Sequence, residues 1–260
     1  DDASARALAQ ELNSENELRK SVLEEICLEA AVMAEAAVDA GKNGLIISGE
    51  GWHPGVIGIG AARMVERFNR PTLLFAVQDG VAKGSGRSLP GVNLYGILQE
   101  RPELFLAFGG HEAAVGLTLL AENLPELEMH FQKRVDAIVT ETMLAPRIGI
   151  DWHEEGGAIF TKEFLRNYER LGPFGMGNPE PVFSAQGLPE NPREVGTNHL
   201  KFTARFNGAI LDGIGFGLGE FHSLLDSGQP LKIAFRIRRN TFRNKTSWQV
   251  EAVDFKQLSI

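Results

Sequence analysis

The 260-residue sequence lacks the features that define several common classes of protein. Its single cysteine, Cys27, cannot form an internal disulfide, and its place in a helical pattern favours an inert thiol over a nucleophile. No group of cysteines and histidines has the spacing of a zinc site. No apolar run is long enough to cross a bilayer, and the acidic N-terminus lacks the pattern of a secretion signal. We therefore expect no membrane association and a cytoplasmic location.

Negative charge dominates the sequence but is unevenly distributed along it. The net charge of −8 argues against a protein that coats nucleic acid with its whole surface. Residues 1–41 carry ten acidic and three basic side chains, a net charge of −7. Residues 185–260 carry seven acidic and ten basic side chains, a net charge of +3. A polyanion would therefore meet the C-terminal part of the chain first.

A long helix followed by a βαβ unit is predicted for the N-terminal part. The stretch from Ser4 to about Ala40 contains no proline or glycine, and its apolar residues recur at helical spacing. Apolar runs at 44–48 and 71–77 predict two strands, separated by a Gly-rich turn at 51–55 and a helix. These strands should be parallel, with the turn at the edge where open α/β sheets bind ligands.

The stretch Gly84-Ser-Gly-Arg-Ser88 is a candidate anion site. Its backbone N–H groups and the hydroxyls of Ser85 and Ser88 are donors for phosphate oxygens, and Arg87 adds a forked, charged donor. These features are typical of a loop that surrounds a phosphate. A flexible surface hairpin is an equally good interpretation of the local sequence.

The stretch Phe108–Gly116 is a second candidate anion site. Gly109, Gly110 and His111 follow an apolar run and precede small residues at helical spacing, a pattern that predicts a helix start. The first N–H groups of such a helix are free to bind phosphate. A lone histidine is otherwise a helix-capping or core residue, but the two glycines and the 84–88 loop favour a phosphate contact.

The C-terminal part predicts an all-β domain. A strand is predicted at 148–151, followed by a helix near 161–171 and a connector rich in proline and glycine at 172–181. Beyond the connector, short alternating segments are separated by turns. Five such strands suit a small Greek-key barrel of the oligonucleotide-binding (OB) kind. The predicted strands are Pro181–Gln186, His199–Phe206, Ala209–Phe216, Leu231–Arg239 and Ser247–Asp254.

The segment Lys232–Trp248 is the most basic part of the sequence, with six basic residues and no acidic one. Basic groups that alternate with aromatic rings can follow a sugar–phosphate backbone while a ring stacks on a base. The alternative is an edge hairpin whose charges oppose aggregation. The candidate contacts are Lys232, Arg236, Arg238, Phe242, Arg243 and Trp248.

Along essentially its whole length the sequence resembles the C-terminal part of the bacterial RecJ family, whose members are 5′→3′ exonucleases specific for single-stranded DNA. Four motifs in the same order carry this resemblance: Gly-Trp-His-Pro-Gly-Val-Ile-Gly at 51–58, Gly-Ser-Gly-Arg-Ser at 84–88, Gly-Gly-His-Glu-Ala-Ala-Val-Gly at 109–116 and Gly-Pro-Phe-Gly-Met-Gly-Asn-Pro-Glu-Pro at 172–181. The Asp-His-His triplet that holds the family's two metal ions does not occur in this sequence.

The resemblance implies a fold of three parts and a divided active site. The parts are a long connecting helix at 1–41, a DHH-associated α/β domain with a mixed or parallel sheet at 42–145, and an OB barrel at 147–260. The Mn²⁺ or Mg²⁺ of the family belongs to a DHH domain, so no metal ligand and no cofactor are expected in this chain. The implied contacts with the scissile, terminal or neighbouring phosphates are His53, Ser85, Arg87, Ser88, Gly109, Gly110 and His111.

The function implied is the substrate-binding half of an exonuclease of the DHH phosphoesterase superfamily, acting in DNA repair and recombination. Alone, this half is expected to bind single-stranded DNA without cutting it, as a monomer in the bacterial nucleoid. Single-strand-binding protein is a candidate second partner. The alternatives are a standalone DNA-binding or protein-adaptor module and a small-nucleotide phosphoesterase of the same superfamily.

Overall fold

In the computed structural model, residues 1–242 and 245–258 are described. The chain divides into two compact units, Asp1–Arg147 and Ile148–Ile260. Each unit has its own apolar core, formed in the first by two clusters on opposite faces of a sheet and in the second by one cluster. No helix in the described part of the chain is long and apolar enough to cross a membrane.

Helix α1 spans Asp2–Asp39, which confirms the long helix predicted from the apolar spacing. The Asp1 side chain caps it by accepting a hydrogen bond from the N–H of Ser4 at 2.8 Å. At the other end Gly41, with φ of 80°, allows the chain to turn back and satisfy the last carbonyls of the helix. Its buried side chains begin only at Leu23, and residues 2–21 are all exposed.

The remainder of the first unit is a five-stranded mixed sheet with flanking helices. Strands β1 and β2 are parallel, which confirms the predicted βαβ unit, and the other neighbouring pairs are antiparallel in the order β1-β2-β3-β5-β4. The elements are β1 (Leu45–Glu50), α2 (Ile57–Phe68), β2 (Thr72–Gln78), β3 (Val81–Arg87), α3 (Leu94–Gln99), β4 (Phe105–Gly110), β5 (Ala114–Leu120), α4 (Leu124–Ile138) and α5 (Glu141–Leu144).

The two faces of this sheet are covered to different extents. Helices α3 and α4 pack on one face against β2, β3 and β5. Helices α1 and α2 pack on the other face, where the buried strand residues come from β1 and β2. Gly60 permits this close packing, because a Cβ atom there would lie 3.0 Å from Leu74 Cδ1. On this side α2 borders β3, and β5 and β4 beyond it leave an open surface.

The second unit is a closed barrel built from five strands. Neighbours follow the order β7-β8-β9-β11-β10 and β10 returns to β7, while β9 and β11 are parallel. A short helix joins β9 to β10, and this connectivity confirms the predicted OB barrel. The elements are β6 (Trp152–Glu154), α6 (Lys162–Glu169), β7 (Phe183–Val195), β8 (His199–Phe206), β9 (Ala209–Gly215), α7 (His222–Leu225), β10 (Leu231–Phe242) and β11 (Lys245–Gln257).

Two predicted boundaries in this unit are wrong. The first strand is β6 at Trp152–Glu154, where the sequence predicted one at 148–151. Strand β7 continues well beyond the predicted end at Gln186, although its second half contains Pro189 and other turn-forming residues. Pairing with β8 through a bulge between Glu190 and Arg193 overrides those local turn signals.

Candidate functional site

Gly109 of β4 and Gly116 of β5 lie side by side on the open surface of the sheet, and we call this pair the glycine floor. Gly116 of β5 is paired with Ser85 of β3 on one side and with Gly109 of β4 on the other. Directly opposite residues of antiparallel strands face the same side of a sheet, so these three form one row. A Cβ atom on Gly109 or Gly116 would meet nothing within 4 Å. The backbone is therefore open to close approach by a ligand here.

The predicted loop at 84–88 is wrong, because residues up to Arg87 belong to β3, the central strand of the sheet. Gly84 and Gly86 face the covered side, where their Cβ atoms would lie 2.4 Å from Phe75 Cε1 and 2.5 Å from Leu73 Cδ2. These glycines make room for large core side chains and do not surround an anion. The alternation of the strand directs Ser85 and Arg87 to the open side.

The predicted helix start after His111 is also wrong. Residues between Gly110 and Ala114 form a tight hairpin that joins β4 to β5, closed by a hydrogen bond from the His111 N–H to the Ala114 carbonyl at 2.9 Å. Gly110 has φ of 141°, an angle that a residue with a side chain rarely adopts. The direct pairing of two strands leaves no room for a helix, and no helix N-terminus exists at this position.

The connection after β3 fixes the tip of this hairpin. The N–H of Ser88 donates to the Ala113 carbonyl at 3.0 Å, and the N–H of Leu94 donates to the Glu112 carbonyl at 2.9 Å. The Ser88 hydroxyl donates to the Val92 carbonyl at 2.7 Å. Ser88 therefore holds the loop together, and its hydroxyl hydrogen is already used.

A different helix presents its N-terminus beside the glycine floor. Helix α2 has no capping side chain, and in its first turn the N–H groups of Ile59 and Gly60 donate to the Val56 carbonyl, which leaves those of Ile57 and Gly58 as donors for an anion. A Cβ atom on Gly58 would lie 3.1 Å from Ser85 Oγ and 3.4 Å from Arg87 Nη2. Ser85 and Arg87 thus lie next to the start of α2.

The charge at this surface is positive, and no carboxylate of the described residues forms a salt bridge with it. Arg87 is half-buried, and its Nη1 donates to the Gly86 carbonyl at 2.7 Å and to Ser85 Oγ at 3.3 Å. Lys83, two residues before Ser85 on the same face of β3, is exposed, and no salt bridge joins it to a described residue. The sequence prediction missed Lys83, although the alternation of β3 would have placed it beside Ser85 and Arg87.

The structure thus brings three predicted phosphate contacts, Ser85, Arg87 and Gly109, to one face of the sheet, whereas Gly110 is in register with the buried Val115. His111 is exposed at the end of β4, where its ring is accessible to solvent. His53 is exposed in the turn before α2, and its Nδ1 accepts a hydrogen bond from the Gly55 N–H at 3.1 Å. That bond leaves Nε2 of His53 as the free donor of the neutral ring.

Three of the six basic residues of the predicted segment, Arg236, Arg238 and Arg239, are paired with acids from other elements. Arg238 Nη1 lies 2.8 Å from Glu180 Oε2 and its Nε lies 3.0 Å from Glu251 Oε2. Arg236 lies 3.9 Å from each of the same two carboxylates. Burial, followed by the charge of Glu180, raises the pKa of the Tyr168 hydroxyl that donates to Glu180. These arginines therefore stabilise β10 against its neighbours.

The other predicted contacts of this segment differ in exposure. Lys232 is exposed near the start of β10, in register with Gln186 and Lys256. Trp248 is half-buried and packs against the barrel core. Arg243 and the side chain of Phe242 lie outside the described residues.

The outer face of β8 and β9 carries side chains that the sequence prediction missed. Lys201 of β8 is in register with Arg193 of β7, and both line a depression of about 250 Å³. Phe216 follows β9, is 55% exposed and lies edge-on to the His199 ring at 5.4 Å between centroids. The corresponding strands of OB folds bind oligonucleotides. Alternation along β8, with Leu200 and every second residue inward, is the signal that would have identified this face.

Glu154 of β6 is a buried carboxylate of the second unit, only 6% exposed. It accepts hydrogen bonds from the N–H groups of Gly156 at 2.6 Å, Gly157 at 2.7 Å and Ile159 at 3.2 Å. Burial acts to raise the pKa of this carboxyl, but the backbone hydrogen bonds outweigh burial and lower it. Glu154 lines a pocket of about 550 Å³ that includes none of the predicted site residues.

Replacing Glu154 with glutamine is expected to lower the free energy of unfolding of the second unit by about 1–3 kcal/mol at neutral pH. The depressed pKa means that the carboxylate stabilises this unit above the ordinary value of 4.5 and loses that effect as the pH falls below it. Exchange rates of the amide hydrogens in 154–160, measured between about pH 3 and 7, test this. Glu155→Gln is the control, since that side chain is 87% exposed.

The pH dependence distinguishes a role of the charge from a role of packing. In the wild type and in Glu155→Gln, the amide hydrogens of 154–160 should lose their protection from exchange as the pH falls. In Glu154→Gln they should be less protected at neutral pH, and their protection should depend less on pH. Equal protection of both variants at neutral pH would contradict the assignment.

No group of three or more histidine, cysteine, aspartate or glutamate side chains that could hold a metal ion occurs in residues 1–242 and 245–258. The open surface presents donors such as Arg87, Ser85 and backbone N–H groups, which bind anions and not cations. Its chemistry therefore does not fit a resident metal ion. It fits the oxygens of a phosphate.

Comparison with known families identifies both units. A family model described as the DHHA1 domain matches residues 41–140, and one described as the RecJ OB domain matches residues 157–254. The single-stranded-DNA-specific exonuclease RecJ of Bacillus subtilis strain 168 is 33% identical over 259 residues, which are 98% of this chain and 33% of that protein. The protein of the same name from Dickeya dadantii strain 3937 is 34% identical over 262 residues, with coverage of 95% and 44%.

A solved structure shows the same arrangement of elements. The crystal structure of RecJ in complex with Mn²⁺ from Thermus thermophilus superposes with a TM-score of 0.80 at 26% identity, over 100% of this chain and 37% of that chain. The chain spans less than half of the length of these relatives. It belongs to the RecJ family and carries the DHHA1 and OB domains of the C-terminal part of RecJ.

Proposed function

We propose that this chain is the substrate-binding part of a 5′→3′ exonuclease specific for single-stranded DNA, and that alone it binds a strand without cutting it. The relatives from B. subtilis and D. dadantii are named single-stranded-DNA-specific exonucleases. Because the chain spans 33% and 44% of their lengths, the proposal assigns the hydrolytic chemistry to the part of those proteins that it does not match.

The observation that carries this proposal is the open glycine floor with its donors. Gly109 and Gly116 expose backbone, Arg87 and Ser85 line one side, and the free N–H groups at the start of α2 lie beside them. A phosphodiester offers two anionic oxygens, which this combination of a guanidinium, a hydroxyl and backbone donors can bind. No carboxylate of the described residues forms a salt bridge with Arg87.

In the proposed role this surface orients the strand. Arg87 binds a phosphate oxygen through its free guanidinium nitrogens, and the Ser85 hydroxyl turns to the same phosphate from the Val115 carbonyl, to which it donates at 3.4 Å. The exposed ring of His111 donates an N–H from the end of the floor, at the scissile or terminal phosphate. Holding the reacting group in one orientation supplies a large part of catalysis even where the chain performs no bond cleavage itself.

The Mn²⁺ in the structure of the T. thermophilus relative motivates the proposal that the intact enzyme uses Mn²⁺ or Mg²⁺. Two such ions activate water and stabilise the leaving oxygen in phosphodiester hydrolysis. We assign them to the catalytic part of the enzyme that this chain does not match. The proposed division places 1–41 as a connecting helix, 42–145 as the substrate-binding domain and 147–260 as the OB domain.

The purified chain is expected not to hydrolyse single-stranded DNA when Mn²⁺ is added, because the described residues offer no cluster of metal ligands. The measurement is release of nucleotides from a 5′-labelled oligonucleotide, together with binding of the same oligonucleotide by fluorescence anisotropy. Binding without release is the expected pair of results. Robust hydrolysis that rises with protein concentration would contradict the division of labour.

A DNA-independent adaptor role is tested by the same binding assay, because an adaptor would not bind the oligonucleotide. A small-nucleotide phosphoesterase would bind a dinucleotide as tightly as a longer strand, whereas the OB domain predicts tighter binding of the longer strand. Action in repair and recombination, a nucleoid location, contact with single-strand-binding protein and a monomeric state belong to the same proposal.

A further inference from the structure

The exposed side of α6 carries three basic side chains in a row. Lys162 and Arg166 lie on α6, and Arg170 follows it directly with helical backbone angles. The three are four residues apart, so they lie on one side at intervals of about 6 Å along the helix axis. The opposite side is buried through Leu165 and Tyr168, which directs the three basic groups to solvent.

These three cations differ from the arginines of β10. Arg236, Arg238 and Arg239 form salt bridges with Glu180, Glu251 or Glu169. Lys162, Arg166 and Arg170 form no salt bridge with any described residue.

Acidic neighbours do not neutralise this row. Glu169 of α6 pairs with Arg239 at 3.0 Å, and Glu163 is exposed at the first turn. The second unit has equal numbers of acidic and basic residues, yet this side of α6 concentrates three cations against one free carboxylate. A solvated helix face gains nothing from such a concentration, whereas a polyanion is attracted by it.

The connector that follows the C-terminal end of α6 presents an exposed apolar side chain. Met176 is fully exposed at the tip of a hairpin turn, and Leu171, which follows α6, is 57% exposed. Two backbone hydrogen bonds between Gly175 and Asn178 close the turn at 2.9 and 3.1 Å. Gly177 occupies the position with φ of 82° that favours glycine.

The turn is fixed to the rest of the unit in spite of its exposed tip. The Asn178 amide donates to the carbonyls of Leu171 and Pro173 at 2.9 and 3.0 Å, and the Phe174 ring packs on Tyr168 at 5.5 Å. Met176 is therefore held away from the surface by a well-bonded turn. Because the turn is already ordered, a partner that contacts Met176 loses little free energy to the ordering of this segment.

We infer that the α6 row and the Met176 turn form a second contact surface for single-stranded DNA, separate from the outer face of β8 and β9. The three basic groups bind consecutive or near-consecutive phosphates, and Met176 packs against an unstacked base. Single-stranded DNA matches both features of this surface, because it carries a line of charged phosphates with the apolar faces of its bases beside them. This inference extends the proposed function, because it adds a binding surface that the function does not require.

The test compares three variants of the full chain by binding of oligo(dT) of about 20 nucleotides at several salt concentrations. The first replaces Lys162, Arg166 and Arg170 with glutamine. The second is Met176→Ala. The third replaces Arg6, Arg63 and Lys133 with glutamine, which removes three exposed cations from α1, α2 and α4 and so matches the change in net charge.

The α6 triple variant is expected to bind at least about 10-fold more weakly. The slope of log K against log salt should fall by about 2, because each of the three lost phosphate contacts contributes about 0.7 to it. Met176→Ala is expected to bind about 3- to 10-fold more weakly with the salt slope unchanged, because the lost contact is apolar. The third variant should change affinity by less than about 2-fold. All replaced side chains are exposed, so the fold is retained, which circular dichroism verifies.

The results separate this inference from the proposed function. Failure of the unchanged chain to bind oligo(dT) would overturn both. Binding by the unchanged chain that the α6 triple variant leaves intact would overturn the inference alone, and the row would then face a partner other than DNA. An equal loss in the third variant would also overturn it, since overall charge would account for the effect.

Discussion

Replacing Arg87 with glutamine is expected to lower the affinity of the chain for single-stranded DNA by about 10- to 100-fold, which corresponds to the loss of charge-assisted hydrogen bonds. Arg87 is half-buried beside the start of α2, and none of its hydrogen bonds is to a carboxylate. Its charge is therefore available to a phosphate. Glutamine keeps a donor of similar reach but removes the charge and the forked geometry.

Binding measured at several salt concentrations tests this expectation. The slope of log K against log salt should fall by about 0.7, the value for one phosphate contact on a single strand. Arg63→Gln is the matched control, because Arg63 is an exposed arginine of α2 without a salt bridge to a described residue. Unchanged affinity in the Arg87 variant, or an equal loss in the control, would remove Arg87 from the site.

Replacing Gly84 with alanine is expected to lower the free energy of unfolding of the first unit by about 1–3 kcal/mol, because the added methyl group overpacks the core. A Cβ atom there would lie 2.4 Å from Phe75 Cε1 and 3.0 Å from Leu117 Cγ. Both neighbours are buried, and β3 is the central strand of the sheet, so little room exists for them to move.

The matched control is Gly116→Ala on the neighbouring strand. A Cβ atom on Gly116 has no atom within 4 Å, so this variant should be as stable as the unchanged chain. It should nevertheless bind single-stranded DNA more weakly, because the methyl group raises the glycine floor. Amide hydrogen exchange of the β2 and β3 peptides measures the stability of this unit by itself, and equal destabilisation by both variants would contradict the assignment of the two faces.

The elements whose residues alternate or repeat with a clear period were predictable from the sequence. The bounds of β8, from His199 to Phe206, match the prediction, and β9, β10 and β11 lie within a few residues of theirs. Local hydrophobic periodicity determines these elements, because each buries one face whatever its partner is. The parallel β1 and β2 were predictable for the same reason, since the helix between them requires a crossover.

The candidate site was predictable by residue type but not by conformation. Ser85, Arg87, Gly109 and His111 were chosen for their phosphate-binding chemistry, and the structure brings the first three to one face of the sheet. The glycines in the stretches 84–88 and 108–116, however, do not favour strands, so the sequence did not predict that these residues lie in β3, β4 and β5. The packing of Phe75 and Leu117 over Gly84 explains why a glycine-rich segment is the central strand, and no local rule contains that information.

Pairings distant in the sequence were also unpredictable. The sequence predicted that Arg236 and Arg238 are free cations in a basic segment. Only the closed barrel shows that Glu180 and Glu251 lie next to them. Conversely, Lys162, Arg166 and Arg170 are ordinary residues in a helix that also contains glutamates. Their lack of partners becomes visible only when the neighbours are known.

The sequence by itself determined the order and type of most elements, the OB barrel and the residue types whose chemistry suits a phosphate, because local periodicity and side-chain chemistry need no knowledge of the fold. Only the tertiary structure decided which glycines face the core and which face solvent, and that His111 lies on a hairpin. It also decided which arginines are neutralised. Those properties depend on contacts between segments far apart in the chain, where packing and charge pairing override local preference.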